Sequence, residues 1–393
     1  MNVNNGIMLP NYENSILNLI SSILENYDVK PFHPVLKQNL NLSKKQNVIL
    51  FILDGFGMNL YSKFAEKTFL KDHFVDKLTS VFPPTTSAAI SSITSGRAPI
   101  EHGAIGWTLF FKEFAKNIDY LPNWDSISTK TQNSNKYNVY DMVGAESIFS
   151  ILRKKRPELM LYQITESGLQ SSFNVNKVAA NTTVMSPQNS EDRYDLIYNT
   201  IIQHPNLQKF IYSYSSSPDH LEHHHGVFSQ EVEEFLNKTF LELKILCEKL
   251  KGTSTSILIT ADHGLIDIDE YFYLNEDEEL FQSVILPAFP EPRFLSFFVK
   301  KHRMNQFLKA AEKYEDHFWI LSREEFLNSK LLGMGIEHAK IDDFVGDYLF
   351  IAKSTKALRG IYQQNGKWDK EFKAHHAGIT PAEMQVPLLN IEL

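Results

Sequence analysis

The sequence predicts an α/β fold, and three observations predict it. Short, uniformly apolar runs of strand length recur along the chain, segments with helical hydrophobic spacing separate them, and the composition is that of a globular enzyme, 43% hydrophobic and 22% charged. Runs that are apolar at successive positions suit parallel strands buried on both faces.

Taking the elements in order, Ile16, Leu17, Leu19, Ile20, Ile23 and Leu24 fall on one helical face, so residues 13–27 read as an amphipathic helix. Val48–Leu53 reads as the first core strand, and Leu159–Ile164, Phe210–Tyr214 and Ser256–Thr260 as further ones. Within 80–96, SVFPPTTSAAISSITSG, a strand breaks at Pro83 and Pro84 and a small-residue helix begins near Thr85. Residues 126–137 are polar and read as a loop. From Gln230 to Leu250 a stripe of Val232, Phe235, Leu236, Phe240, Leu243, Cys247 and Leu250 predicts a long helix, with Cys247 as a small core residue. Residues 286–354 have a different texture. Strands at 294–300, 318–321 and 347–352 and a helix at 305–314 make a small α+β insertion, read as a cap on a core formed by 1–285 and 355–393.

Charge and cysteine content narrow the function. The formal net charge is −8 and the pI about 6.0, which argues against a nucleic-acid-binding module. One cysteine excludes an internal disulfide, a thiolate zinc cluster and an iron–sulfur site, and suits a reducing compartment. The N-terminus lacks the pattern of a secretory signal and no apolar run approaches the ~20 residues of a membrane span, so the expectation is a cytoplasmic protein without a membrane partner.

Several expected strand ends carry carboxylate or imidazole groups. Asp54 follows VILFIL, Asp219 and His223 lie in SPDHLEHHHG, and Asp262 and His263 follow SILIT; His375 and His376 stand near the end of the chain. Strand C-termini of an open α/β sheet share one edge, where distant residues converge. The mixture of Asp and His suits Zn²⁺, Mn²⁺ or Fe rather than a calcium site, and two ions is the natural number. Each piece has a plainer reading alone: DGFG at 54–57 as a tight turn or a truncated dinucleotide fingerprint, histidines 223–225 as a solvated loop, Asp262 as a helix cap. Thr85, Thr86 and Ser87 likewise suit capping. A hydroxyl in the first turn of that helix also faces unpaired N–H groups that would receive a phosphoryl group, and Thr86 is placed for attack.

Together these segments resemble the alkaline phosphatase superfamily, and within it the type I phosphodiesterase/nucleotide pyrophosphatase family and its soluble bacterial members. The resemblance rests on LDGFG at 53–57, FPPTTSAAISSITSGRAPIEHGAIGW at 82–107, PDHLEH at 218–223, TADHG at 260–264 and HAGITPAEMQVPLL at 376–389, with EPRFLSFFV, WILSREEF and, after them, VGDYLFIA in the insertion. It implies a three-layer α/β/α sandwich with a mostly parallel central sheet. It also implies one divalent ion on Asp219, His223 and His376 and a second among Asp54, Thr86, Asp262 and His263, zinc in most relatives, with Mn²⁺ as the other choice. Thr86 would then be the nucleophile of a hydrolase acting on small phosphorylated substrates, nucleotide-type diesters or pyrophosphates, through a phosphothreonine intermediate. A phosphomonoesterase or phosphonate hydrolase using the same site is the alternative, and a silent metal- or nucleotide-binding protein a more distant one. His375 is left as a support behind the ligands or a phosphate contact, and His102 as structural support. Where nucleotide phosphodiesterases carry an Asn three residues after the nucleophile, this chain has Ala89. No substrate-binding residue is assigned. Phe56, Trp107, Tyr120 and Trp124 are candidates for an aromatic wall, and Arg97 and Arg293 for cations that a monoester would need.

Overall fold

Seven strands form the central sheet of the computed structural model: β1 (Asn47–Leu53), β2 (Phe74–Thr79), β3 (Met160–Thr165), β4 (Thr183–Met185), β5 (Lys209–Ser215), β6 (Thr255–Thr260) and β7 (Gln385–Glu392). The structure describes residues 6–126, 138–166, 179–189, 192–360, 363–364, 367–368 and 371–393, so the polar stretch read as a loop lies outside the described residues beyond Ser126. The order is β2-β7-β6-β1-β5-β3-β4, with β6, β1, β5, β3 and β4 parallel and β7 antiparallel to both of its neighbours. Every residue of β1, β5 and β6 is buried, as uniformly apolar runs require when both faces are covered.

Two helical layers cover the sheet. Paired residues of parallel strands face the same side, so Leu50 and Tyr212 share one face and Phe51 and Ser213 the other. Helix α1 (Ile16–Asn26), helix α2 (Thr86–Ser95) and the helix Ile148–Lys155 cover the Tyr212 face, where Phe149 meets Tyr212 at 5.8 Å. On the opposite face Tyr194, from the helix Asp192–Gln203, stacks on Phe51 at 6.0 Å. Helix α3 (Asp219–His225) follows β5, and helix α4 (Gln230–Leu250) packs beside Asp192–Gln203 with Cys247 buried on its inner stripe. No described helix is long and apolar enough to cross a membrane.

Strands Phe289–Glu291, Phe294–Phe297, Tyr348–Ala352 and Phe318–Ser322 form a separate four-stranded antiparallel sheet in that order. Beneath it lies a second apolar cluster containing Leu295, Phe297, Phe307 and Phe350, which also takes in Leu274, Leu280 and Leu358 from either side of 286–354. A three-stranded sheet, Thr108–Phe111, Lys116–Asp119 and Trp124–Asp125, follows α2 in the chain and packs against the strand Phe289–Glu291.

Candidate active site

Three adjacent central strands build the site floor. In register, Leu53 pairs with Ser215 and Ile52 with Thr260, so β5, β1 and β6 end level, and the residues after them meet on one edge. Asp54 leaves β1, Asp219 opens α3 after β5, and Asp262 and His263 leave β6. The glycines of DGFG and ADHG permit this approach. Gly55 has φ +80°, and a Cβ there would stand 2.8 Å from Asp219 Cα; a Cβ on Gly264 would stand 2.2 Å from the Ala382 carbonyl oxygen. The turn reading of DGFG therefore holds, with close packing as its cause.

The side chains gather in two groups, Asp219 with His223 and His376, and Asp54 with Asp262 and His263; within each group the potential ligand atoms lie within 4.8 Å of one another. His223 Nε2 is 3.3 Å and His376 Nε2 3.9 Å from Asp219 Oδ1, while His263 Nε2 is 3.4 Å from both Asp54 Oδ1 and Asp262 Oδ2. Thr86 Oγ1 lies 3.1 Å from His263 Nε2. Tetrahedral Zn²⁺ with bonds of about 2.0–2.2 Å needs ligand atoms roughly 3.3–3.6 Å apart, so these spacings fit a metal ion in each group. The rings of His263 and His376, 4.1 Å apart, join the two groups.

The pattern of satisfied and orphaned atoms points the same way. Asp262 Oδ1 accepts from the backbone N–H of Gly55 and His263, and Asp54 Oδ2 accepts from the Tyr214 hydroxyl. The facing atoms Asp54 Oδ1, Asp219 Oδ1 and Asp262 Oδ2 are buried without a hydrogen-bond partner. Buried polar atoms are normally paired, and three orphan carboxylate oxygens converging beside imidazoles fit cations as their partners. His223 Nδ1 lies 2.7 Å from the Ala374 carbonyl oxygen, an N–H donor's position that leaves the Nε2 lone pair free for a metal ion. His263 Nδ1 stands likewise against the Gly264 carbonyl at 3.2 Å.

The buried carboxyl and imidazole groups act strongly on one another. Burial, then Asp262 and Asp219, push the Asp54 carboxyl well above the usual carboxylate range, and burial raises Asp262 as well. Burial would also raise Asp219, but His223 outweighs it and holds the carboxyl low, while Asp219 in turn raises His223 against the effect of burial. Burial, then His263 and His223, push His376 well below the usual imidazole range and keep it neutral, the form in which an imidazole can bind a metal ion. Tyr214 is held in its protonated, donating form by burial and by Asp54.

The hydroxyls at the start of α2 are not caps. Thr85 stands at the N-cap, yet its side chain makes no capping bond and donates to Glu291 Oε1 at 2.8 Å; Thr86 meets His263, and Ser87 Oγ has no partner. His376 belongs to the first group, whereas His375 is buried outside both groups with its ring 5.2 Å from that of His223. Ala89 is fully buried.

Other sequence candidates are placed differently from expectation. Phe56 and Tyr120 are core residues, edge-on to Phe240 at 6.0 Å and Tyr140 at 5.5 Å, so of the proposed aromatic wall only Trp107 and Trp124 reach the surface, 39% and 46% exposed. Arg97 pairs with Glu101 at 3.1 Å and stacks on Phe32. Arg293 is fully buried, donating from Nε and Nη2 to Glu383 at 2.6 and 2.8 Å, and so holds the loop carrying His376 rather than a substrate. Sequence reasoning missed Tyr214, Glu222 and Glu291. Tyr214 lay inside an apolar run, Glu222 is a buried carboxyl with two unpartnered oxygens beside Gly55, and Glu291 stood in EPRF without a role.

His102 supports α2 as expected: Nε2 lies 3.0 Å from Ser92 Oγ, and Nδ1 accepts from the Ala104 N–H. Burial pushes its pKa down to about 3. An unfolded chain would bind the proton near 6.5, so in that window the unfolded state binds more protons and stability rises with pH. His102's contribution is complete above pH 6.5 and is lost on acidification towards pH 3, about 5 kcal/mol at full extent. Urea midpoints between pH 7 and 4.5 are expected to fall more steeply for the wild type than for His102→Gln; parallel curves would refute this.

An α/β sheet whose strand ends gather two carboxylate–imidazole groups, with a helix-terminal hydroxyl against one of them, defines a metal-dependent hydrolase. The chain belongs to the type I phosphodiesterase/nucleotide pyrophosphatase family of the alkaline phosphatase superfamily, whose family model matches residues 48–345. That family typically uses two metals. Among solved structures, an inactive variant of murine ectonucleotide pyrophosphatase/phosphodiesterase 5 in complex with AMP is similar, with a TM-score of 0.64 at 16% identity over 88% of this chain and 87% of that one. The human ectonucleotide pyrophosphatase/phosphodiesterase 5 gives the same values. No curated protein matched the sequence.

Proposed function

We propose that the chain hydrolyses phosphodiester or pyrophosphate bonds of small, nucleotide-type substrates through a phosphothreonine on Thr86. The observation that carries this reading is Thr86 Oγ1, at the start of a ten-residue helix and 3.1 Å from His263 Nε2, beside the orphan oxygens of Asp54 and Asp262. Asp219, His223 and His376 would hold one ion, Asp54, Asp262, His263 and Thr86 the other, and the N/O donor sets suit zinc, with manganese next. When bound, the pair supplies Lewis-acid charge for the attacking and departing oxygens. The first-turn N–H groups of α2 receive the phosphoryl oxygens. Thr86 Oγ1 attacks phosphorus as its proton passes to solvent water, the bond to the leaving group opens, and the departing oxygen takes a proton back from solvent. Water then adds to phosphorus, the bond to Thr86 breaks, and the threonine regains its proton, with overall retention.

A singly charged diester is favoured over a monoester because both arginines that the sequence offered for a second charge are engaged elsewhere. The AMP bound by the murine relative supports a nucleotide. Zinc-loaded protein is expected to turn over bis-p-nitrophenyl phosphate faster than p-nitrophenyl phosphate, to lose this activity to a chelator, and to regain it on adding zinc or manganese. Preference for the monoester would replace the reading by a phosphatase. Silence on both with two ions bound would leave a binding protein.

A further inference from the structure

Glu291 ends the first strand of the insertion and is buried. Its Oε1 accepts two hydrogen bonds, from Thr85 Oγ1 at 2.8 Å and from the Trp107 backbone N–H at 2.7 Å. Thr85 immediately precedes the nucleophile candidate. Trp107 belongs to the turn after the short helix Pro99–His102 that follows α2, where Gly106 packs so closely on the insertion that a Cβ would lie 2.4 Å from Pro290 Cβ. One carboxylate oxygen therefore ties the start of the nucleophile helix, that turn and the insertion strand together. An amide oxygen would accept the same two bonds, so the hydrogen bonding does not call for a charge. Burial opposes that charge and pushes the carboxyl up to about 7, and His223, itself in the site, and Asp119 are near enough to act on it.

The charge has a use at the phosphoryl group. Two divalent ions held over Asp54, Asp219 and Asp262 would leave a single net positive charge, which one more carboxylate would cancel. A phosphodiester brings one negative charge to such a site, a terminal phosphate two. We propose that Glu291 is a specificity-determining residue, whose carboxylate beside Thr85 repels a second negative charge and so selects singly charged phosphoryl diesters over doubly charged terminal phosphates. This inference rests on the phosphodiesterase reading and assigns its selectivity to a residue of the insertion.

Binding separates the two. Affinities of the zinc-loaded protein for inorganic phosphate, a dianion at pH 8, and dimethyl phosphate, a monoanion, would be measured by calorimetry for wild type, E291Q and E291D. Glutamine keeps the acceptor and removes the charge, and aspartate keeps the charge on a shorter arm. E291Q is expected to shift the ratio of affinities towards phosphate roughly tenfold, as a nearby charge at intermediate dielectric would, and E291D to stay near the wild-type ratio. An unchanged ratio in E291Q, an equal shift in both variants, or no phosphate binding by E291Q at millimolar concentration would overturn the assignment. Turnover of the diester by wild type is read separately, so loss of the hydrolase reading and loss of the Glu291 role give different results.

Discussion

Thr86→Ala is expected to lower diester turnover by on the order of 10³-fold or more while the protein still binds two metal ions. The hydroxyl is the only group at the start of α2 that meets His263, since Thr85 is turned to Glu291 and Ser87 has no partner. Three of the four groups around the second position, Asp54, Asp262 and His263, remain in the variant, so elemental analysis should show retained metal. Trapping a phosphorylated residue from a rapidly quenched reaction, present in wild type and missing in the variant, would fix the covalent step. Loss of activity together with one ion would make Thr86 a ligand without showing that it attacks, and undiminished turnover would exclude it as nucleophile.

Arg293→Met is expected to destabilise the fold by about 3–5 kcal/mol, because it strands Glu383 as an uncompensated buried charge. Glu383 also accepts from the Gly378 and Thr380 N–H groups and the Thr380 hydroxyl, so the pair fixes the turn just after His376. Arg293 reaches further, donating to the carbonyls of Ser354 and Lys356, and thus joins the end of the insertion to that turn. Denaturant midpoints of Arg293→Met, Glu383→Met and the double variant would measure the coupling. The double variant should be less destabilised than the two singles combined, since neither charge is then left alone. Weaker metal binding in Arg293→Met, overcome by excess zinc, would show that the clamp positions His376. Additive effects would mean that the two groups act independently.

Much of the site was legible in the sequence because parallel strands announce their ends. A strand buried on both faces must be apolar throughout, so the change from VILFIL to Asp54 or from SILIT to Ala-Asp-His marks both the end of the strand and the start of chemistry. Gly55 was visible as a turn residue and Gly264 only as part of a motif, although the reason for both, the backbones crowding at 2.8 and 2.2 Å from an added Cβ, was not. Strand β7 was harder: QVPLLNIE contains a proline and was noted only in part, within a motif, and its antiparallel place between β2 and β6 depends on partners more than a hundred residues away.

Side chains whose chemistry admits two uses were not decided by sequence. Arg293 served equally well on paper as a phosphate contact, and Phe56 and Tyr120 as base-stacking surfaces; burial against Glu383, Phe240 and Tyr140 chose otherwise. Glu291 was one acidic residue among 47 Asp and Glu until the fold set it against Thr85. The sequence by itself determined the α/β class, the strand-end acids and histidines and the hydroxyl-rich helix, because these follow from local periodicity and from residue types adjacent to strand ends. The tertiary structure alone decided which carboxylates lie 3–4 Å from which imidazoles, which arginine is spent on the fold, and which oxygens are left without partners. Those depend on the register of β6, β1 and β5 and on the insertion docking against α2, distances that no local pattern encodes.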